Sequence, residues 1–201
     1  PRNRKRIIIA PHHTIMQSTR KALALSNFMR FADFFKKLPS LYPDVEFIFR
    51  PHPLLYPTLA RKDVWGKEKT DKYFEDIQSL SNMIWQDGGD YFETFANSDG
   101  MIHDCGSFVS EYVYTRKPMC FMLDREESID YNFAKNGADT LRNSYLAYSE
   151  DDIRHFIEEV IIKENDYKAE QMASVREQLM LNYPYATDFV MQHLKSCFQI
   201  C

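Results

Sequence analysis

The sequence predicts an α/β fold: a Rossmann-like parallel sheet with helices on both faces and C-terminal helices packed alongside. Three observations predict it. Short β-branched apolar segments alternate with longer segments of helical periodicity. The apolar segments are hydrophobic on both faces, as strands buried between helix layers must be. After Ser149 the alternation stops and helical patterning runs on alone.

Arg6-Ile7-Ile8-Ile9-Ala10 reads as the first strand, stopped by Pro11. Ser18 to Leu38 reads as a helix with Leu23, Phe28, Phe31, Phe34 and Phe35 on one stripe, and Pro39 is expected to end it. Val45 to Phe49 is the second strand, halted by Arg50-Pro51-His52-Pro53. A helical stretch from about Thr58 to Ser81 leads to the third strand, Asn82 to Trp85, which closes on Gln86-Asp87-Gly88-Gly89. A short helix over Asp90 to Asn97 precedes the fourth strand, Asp99 to His103. Gly106 to Thr115 is a helix, Met119 to Leu123 the fifth strand, and Tyr145 to Tyr148 a sixth. Helices follow over Asp151–Lys163, Tyr167–Leu181 and Ala186–Phe198, with Ser149 as N-cap of the first of these. The chain is expected to be one domain, 1–201, with a helical segment from about 150.

Composition narrows the function classes. At 44% hydrophobic and 27% charged, 201 residues can bury a full core without staples. The net charge of −4 supplies no basic field for nucleic acid. The four cysteines, Cys105, Cys120, Cys197 and Cys201, show no CxxC spacing and read as reduced thiols of a cytoplasmic protein. No apolar run reaches the length of a membrane span and no signal peptide is visible. Arg2, Arg4, Lys5 and Arg6 form a basic run that reads as solvated linker, with contact to anionic headgroups at the inner face of the membrane as the functional alternative. Opening at Pro1, the chain reads as a piece excised at a linker.

In an open parallel sheet, ligands bind beyond the carboxyl ends of the strands. The residues that follow the strands are unusually polar: Pro11-His12-His13-Thr14, Arg50-Pro51-His52-Pro53, Gln86-Asp87-Gly88-Gly89 and His103-Asp104-Cys105-Gly106-Ser107. Four of the six histidines fall there. Histidine suits proton transfer near neutral pH. His12 and His13, being adjacent, are expected to point in different directions, one toward a ligand and one into packing. Arg50 offers a planar fork to phosphate oxygens, stiffened with His52 by the intervening proline. Gly106-Ser107 at a helix start offers amides and a hydroxyl to an anion, and Glu111 lies one turn further along. Singly, these residues also admit structural roles: an ordinary N-cap, a surface glutamate, a packed histidine. There is no GxxxxGK[ST], no GxGxxG after the first strand and no GxSxG elbow. HxH and HxxxH spacings are absent, so no metal site is expected.

Three segments together resemble a known family. Ile9-Ala10-Pro11-His12-His13-Thr14-Ile15, Phe49-Arg50-Pro51-His52-Pro53 and Met101-Ile102-His103-Asp104-Cys105-Gly106-Ser107-Phe108, with Glu111 and Lys117-Pro118, resemble the C-terminal domain of the CDP-glycerol glycerophosphotransferase, or teichoic-acid polymerase, family. That family has the glycosyltransferase-B (GT-B) architecture. The resemblance covers roughly residues 6 to 125. It implies one half of a GT-B fold that binds a nucleotide-diphosphate donor, with an N-terminal acceptor domain not included in this chain.

The resemblance also implies roles. His13 or His12 would be the base, with His52 also at the catalytic centre. Arg50 and His52 would steady the pyrophosphate. Asp104, Gly106, Ser107 and Glu111 would complete the donor site, with no cofactor and no metal. A polymer or lipid-linked acceptor would attack, and this half alone would turn over little or not at all. Where the family usually has threonine-aspartate-tyrosine-serine-serine, this chain has His103-Asp104-Cys105-Gly106-Ser107. The donor is therefore read as CDP-glycerol or a nucleotide sugar, for transfer to a surface polymer such as teichoic acid or capsular polysaccharide. A nucleotide-sugar epimerase of the same architecture and a non-catalytic α/β interaction module are the alternatives.

Overall fold

The computed structural model describes residues 4–15 and 26–198. Six parallel strands, β1 (Lys5–Ala10), β2 (Val45–Phe49), β3 (Met83–Trp85), β4 (Gly100–His103), β5 (Met119–Met122) and β6 (Tyr145–Ala147), form one sheet in the order β3-β2-β1-β4-β5-β6. This is the doubly wound order, in which the chain builds outward from β1 one way and then from β4 the other. Doubly wound sheets place a crevice where the order reverses, which here is between β1 and β4. Lys5 and Arg6 are therefore strand residues, not linker, and pair with Glu164 and Glu46.

Helices cover both faces. Ile7, Ile9, Phe47 and Phe49 face one layer; Ile8, Ala10, Ile48 and Met101 face the other. The first layer is α1 (Phe28–Leu41), α3 (Lys67–Ser79) and α8 (Glu150–His155, continuing as a π-helix over Phe156–Ile162). Phe31, Phe34, Phe35 and Leu38 of α1 are at most 2% exposed. Each contributes roughly 1.5–3 kcal/mol by leaving water. The opposite layer is α4 (Phe92–Ala96), α5 (Gly106–Tyr112) with a 3-10 turn over Val113–Thr115, and α9 (Ala169–Leu179). The last helix, α10 (Ala186–Phe198), buries no side chain. No helix among the described residues is long and apolar enough to cross a membrane.

Several boundaries differ from the sequence reading. Residues 18–25 of the expected first helix lie outside the described residues. Pro39 does not end α1 but sits buried in its last turn, where Tyr42 still donates to the Leu38 carbonyl at 2.9 Å. Pro39 has no amide to donate to the Phe35 carbonyl, and the helix runs only two residues beyond it. The stretch expected as one helix over 58–81 is α2 (Leu55–Leu59) and α3, parted by a turn ending at Gly66, whose φ of 77° favours glycine. Two short helices, α6 (Ser128–Asn132) and α7 (Lys135–Arg142), occupy the connection that the periodicity leaves blank. The Ser149 cap is present as a capping box with Asp152.

Register sets the site. Ile9 pairs with both Phe49 and Ile102, Phe49 with Trp85, and Ala10 with His103. The strand ends are thus level, and the loops after β1, β2, β3 and β4 leave the sheet side by side.

Candidate functional site

Main-chain hydrogen bonds run past the strand ends and join these loops. Arg50 N donates to Ile9 O at 2.8 Å, His52 N to Pro11 O at 2.9 Å, and Gln86 N to Phe49 O at 3.0 Å. The Pro11-His12-His13 and Arg50-Pro51-His52 segments are therefore held as neighbours by the backbone, before any side chain acts.

The three imidazoles form one cluster. Ring centroids are 4.3 Å apart for His12 and His13, 4.7 Å for His12 and His52, and 4.2 Å for His13 and His52. The expected divergence of His12 and His13 is corrected here. It presumes extended backbone, whereas the chain bends at His13 and both rings meet His52. Burial, with His13 and His52 nearby, lowers the His12 pKa to about 4; burial also lowers those of His13 and His52. Packed rings that lose water cannot share several positive charges, so the cluster is neutral at pH 7.

Hydrogen bonds distinguish the rings. His52 Nδ1 accepts the Leu54 amide at 3.0 Å. Neutral His52 therefore carries its proton on Nε2, where it is a donor. His12 Nδ1 shares a hydrogen bond with Thr14 Oγ1 at 2.9 Å. His13 Nδ1 is buried and has no partner among the described residues.

The ligating atoms of the cluster lie within 4.8 Å of one another. That spacing makes the three histidines a group that could hold a metal ion; in the neutral tautomer set by the Leu54 amide, His52 Nε2 is a donor, suited to an acceptor instead.

Beside it lies a cavity of about 300 Å³, lined by Ala10, Pro11, Arg50, His52, Gly88, Gly89, Tyr91, Cys105, Ser107 and Phe108 among others. Arg50 is 7% exposed. Its guanidinium forks onto Gly88 O at 2.8 Å and Gly89 O at 2.6 Å, and stands 5.6 Å over the Tyr91 ring. Arg50 thus braces the loop after β3 as well as lining the cavity. Ser107 is exposed and also lines the cavity, with Oγ 3.2 Å from Cys105 Sγ. Burial pushes the Cys105 thiol up, so it stays protonated and is no nucleophile.

Other predicted site residues are placed differently. Asp104 is fully buried, and its two oxygens accept the amides of His12 at 2.6 Å and Asn27 at 2.7 Å. It positions the histidine loop and the start of α1 instead of reaching a donor. Burial pushes its pKa up to about 7 against those hydrogen bonds. His103 is likewise buried, its pKa lowered to about 3 by burial. Gly106 faces Phe133, and its Cβ position has ordinary room, so no steric demand for glycine exists there. Glu111 lies outside the cavity, in a shallow groove with Phe92 and Tyr114. It reaches the cavity only through Tyr91, whose hydroxyl pKa the Glu111 carboxylate raises. Lys117 is at the other end of the sheet, where its ammonium donates to Phe95 O at 2.7 Å and Ala96 O at 2.6 Å at the end of α4.

Tyr91 is a cavity residue that the sequence reading did not name; Gly88-Gly89 and Phe108 were named only within strand-end segments, without a role of their own. The glycine pair carried a usable signal. Both glycines have left-handed φ, 65° and 73°, and turn their carbonyls onto Arg50.

No family model matches the chain, and no curated protein is similar to it in sequence. Solved structures match it in fold. The wall teichoic acid polymerase TagF, as a single-residue variant, aligns with 100% of this chain and 46% of its own length at 17% identity and TM-score 0.58. The S. aureus MnaA–UDP co-structure aligns with 99% of this chain and 46% of its own at 15% identity and TM-score 0.58. UDP-GlcNAc 2-epimerase from Neisseria meningitidis, bound to UDP-GlcNAc, aligns with 85% and 39% at 13% identity and TM-score 0.54. The chain spans less than half the length of each. At these identities the likeness shows the fold, the Rossmann-like parallel sheet of one half of a GT-B architecture.

Proposed function

We propose that this chain is the donor-binding part of a transferase, which moves a glycerol-phosphate or sugar unit from a nucleotide-diphosphate donor to a surface-polymer acceptor. The single observation that carries this reading is the convergence of His12, His13 and His52 beside a cavity lined by Arg50 and Ser107, at the point where strand order reverses. That crevice is where doubly wound sheets take nucleotides. The fold likeness to structures holding UDP and UDP-GlcNAc supports the same ligand class.

In this reading the diphosphate lies across the cavity. His52 Nε2–H donates to a phosphoryl oxygen whose charge grows as the bond to the leaving group breaks. Ser107 Oγ donates as well, and the Arg50 charge offsets the diphosphate. His13 or His12, both with pKa lowered by burial, takes the proton of the acceptor hydroxyl as that oxygen attacks. Attack at the β-phosphorus releases a nucleoside monophosphate and leaves a phosphodiester. Attack at a sugar carbon releases a nucleoside diphosphate and leaves a glycoside. The side chains present neutralise charge by hydrogen bonding, so the proposal requires neither metal nor cofactor. A peripheral membrane contact would belong to the longer protein that presents the acceptor.

Titration calorimetry with CDP, UDP and GDP tests this. One nucleotide should bind, and Arg50→Ala and Ser107→Ala should each weaken it. Absence of binding to all three at millimolar ligand would remove the donor-site reading in favour of an interaction module. Binding together with interconversion of sugar epimers would favour an epimerase.

A further inference from the structure

The opposite edge of the sheet carries a second concavity that the donor reading does not use. It lies where β5 and β6 begin, holds about 110 Å³, and is lined by Arg116, Asn143, Asp166, Lys168 and Arg176 among others. That volume is several times the ~10–15 Å³ that admits one water.

Its charge is unbalanced. Arg116, Lys168 and Arg176 form no ion pair among the described residues. Two of them hydrogen-bond to main-chain carbonyls, Arg176 Nη1 to Val113 O at 3.2 Å and Lys168 Nζ to Ser144 O at 2.5 Å, and the Lys168 ammonium stands 5.6 Å over the Tyr145 ring. The one carboxylate in the lining, Asp166, is engaged by the Tyr145 hydroxyl at 2.7 Å and the Lys168 amide at 3.3 Å. Exposed Glu177 lies on the Arg176 side. Burial and the Arg116 charge lower the Arg176 pKa, and burial lowers that of Lys168. A carbonyl satisfies an N–H but leaves the like charges facing one another.

Arg116 is the C-cap of the 3-10 turn, in left-handed backbone with φ 63° and ψ 23° and its amide donating to Val113 O at 3.4 Å, so the helix end fixes where its side chain leaves the backbone beside the concavity.

We propose that this concavity is a second anion site, which takes one phosphate dianion between Arg116, Lys168 and Arg176. The anion would relieve the arginine repulsion and tie α9 to the start of β5. Arginine forks match phosphate oxygens in geometry as well as charge.

Calorimetry of the full chain with inorganic phosphate at constant ionic strength tests it, alongside thermal unfolding with and without phosphate. Phosphate should bind and raise the unfolding temperature above that in matched chloride. Arg116→Gly suits the left-handed backbone and should fold normally, yet bind phosphate roughly tenfold more weakly, the loss of about 1.4 kcal/mol. Arg176→Gln should do the same, and Arg61→Gln, at a surface pair with Asp63, should change nothing. His52→Ala should leave phosphate binding intact. Absence of phosphate binding in the unaltered chain overturns the proposal. So does binding that survives Arg116→Gly and Arg176→Gln, or binding lost with His52→Ala, which places the phosphate in the donor cavity.

Discussion

Asp104 accepts the backbone amide of His12 at 2.6 Å, so the end of β4 holds the loop after β1. Its other oxygen takes the Asn27 amide at 2.7 Å. One buried carboxylate thereby places both the histidine cluster and the start of α1.

Asp104→Asn should be costly although it preserves shape. An amide nitrogen cannot accept, so one of the two buried amides loses its partner. The expected loss is about 2–3 kcal/mol in unfolding free energy. Denaturant titration reads it, and an unchanged midpoint would show that Asp104 does not organise these loops.

Acid should weaken the fold through His12. Its pKa is 6.5 unfolded and about 4 folded, so between these values the unfolded chain binds more protons. Stability therefore falls as pH drops from 6.5 toward 4. Discounted for partial exposure, the effect is about 1–2 kcal/mol. Asp104 acts with the opposite sign. Its carboxyl is raised from 3.8 to about 7, so its contribution is full below 3.8 and is lost as pH rises through 7. Because the two windows overlap, the test is a difference: relative to the unaltered chain, His12→Asn should gain stability as pH drops from 6.5 toward 4.

Arg50→Lys should fail to rescue the cavity. A single ammonium cannot fork onto Gly88 O and Gly89 O, so the loop after β3 loses its brace. We expect at least about tenfold weaker nucleotide binding and roughly 1–2 kcal/mol lower stability. Calorimetry and thermal unfolding on one preparation separate the two effects.

Gly100→Ala should destabilise through packing. A Cβ there would lie 2.4 Å from Ile161 Cδ1 and 3.3 Å from both Phe156 Cζ and Pro118 O. Ile161 can shift, but the carbonyl belongs to the chain entering β5. The expected cost is about 1–3 kcal/mol, read by chemical denaturation.

Much of the fold was legible because strand signals here are strong. Ile7-Ile8-Ile9 and Val45 to Phe49 bury both faces, and no helical pattern competes with them. The helices between 50 and 81 and between 124 and 144 were harder. They are short, and their ends are set by turn geometry such as the left-handed Gly66, where periodicity has too few residues to register. Within the site, the loops were legible and the jobs within them were not. The family resemblance placed Asp104, and its guanidinium fork placed Arg50, among ligand groups. Both carry much of their hydrogen bonding to backbone, Asp104 entirely out of solvent's reach.

The sequence by itself determined the strand-and-helix alternation and the clustering of polar residues after the strands, because hydrophobic periodicity and proline or glycine punctuation are local properties of a chain. Only the tertiary structure decided that His12, His13 and His52 share one cluster, that Glu111 stands apart, and that Arg116 and Arg176 oppose each other at the far edge. Those relationships depend on strand order and register, which bring together residues far apart in the chain and are set by how the whole sheet packs.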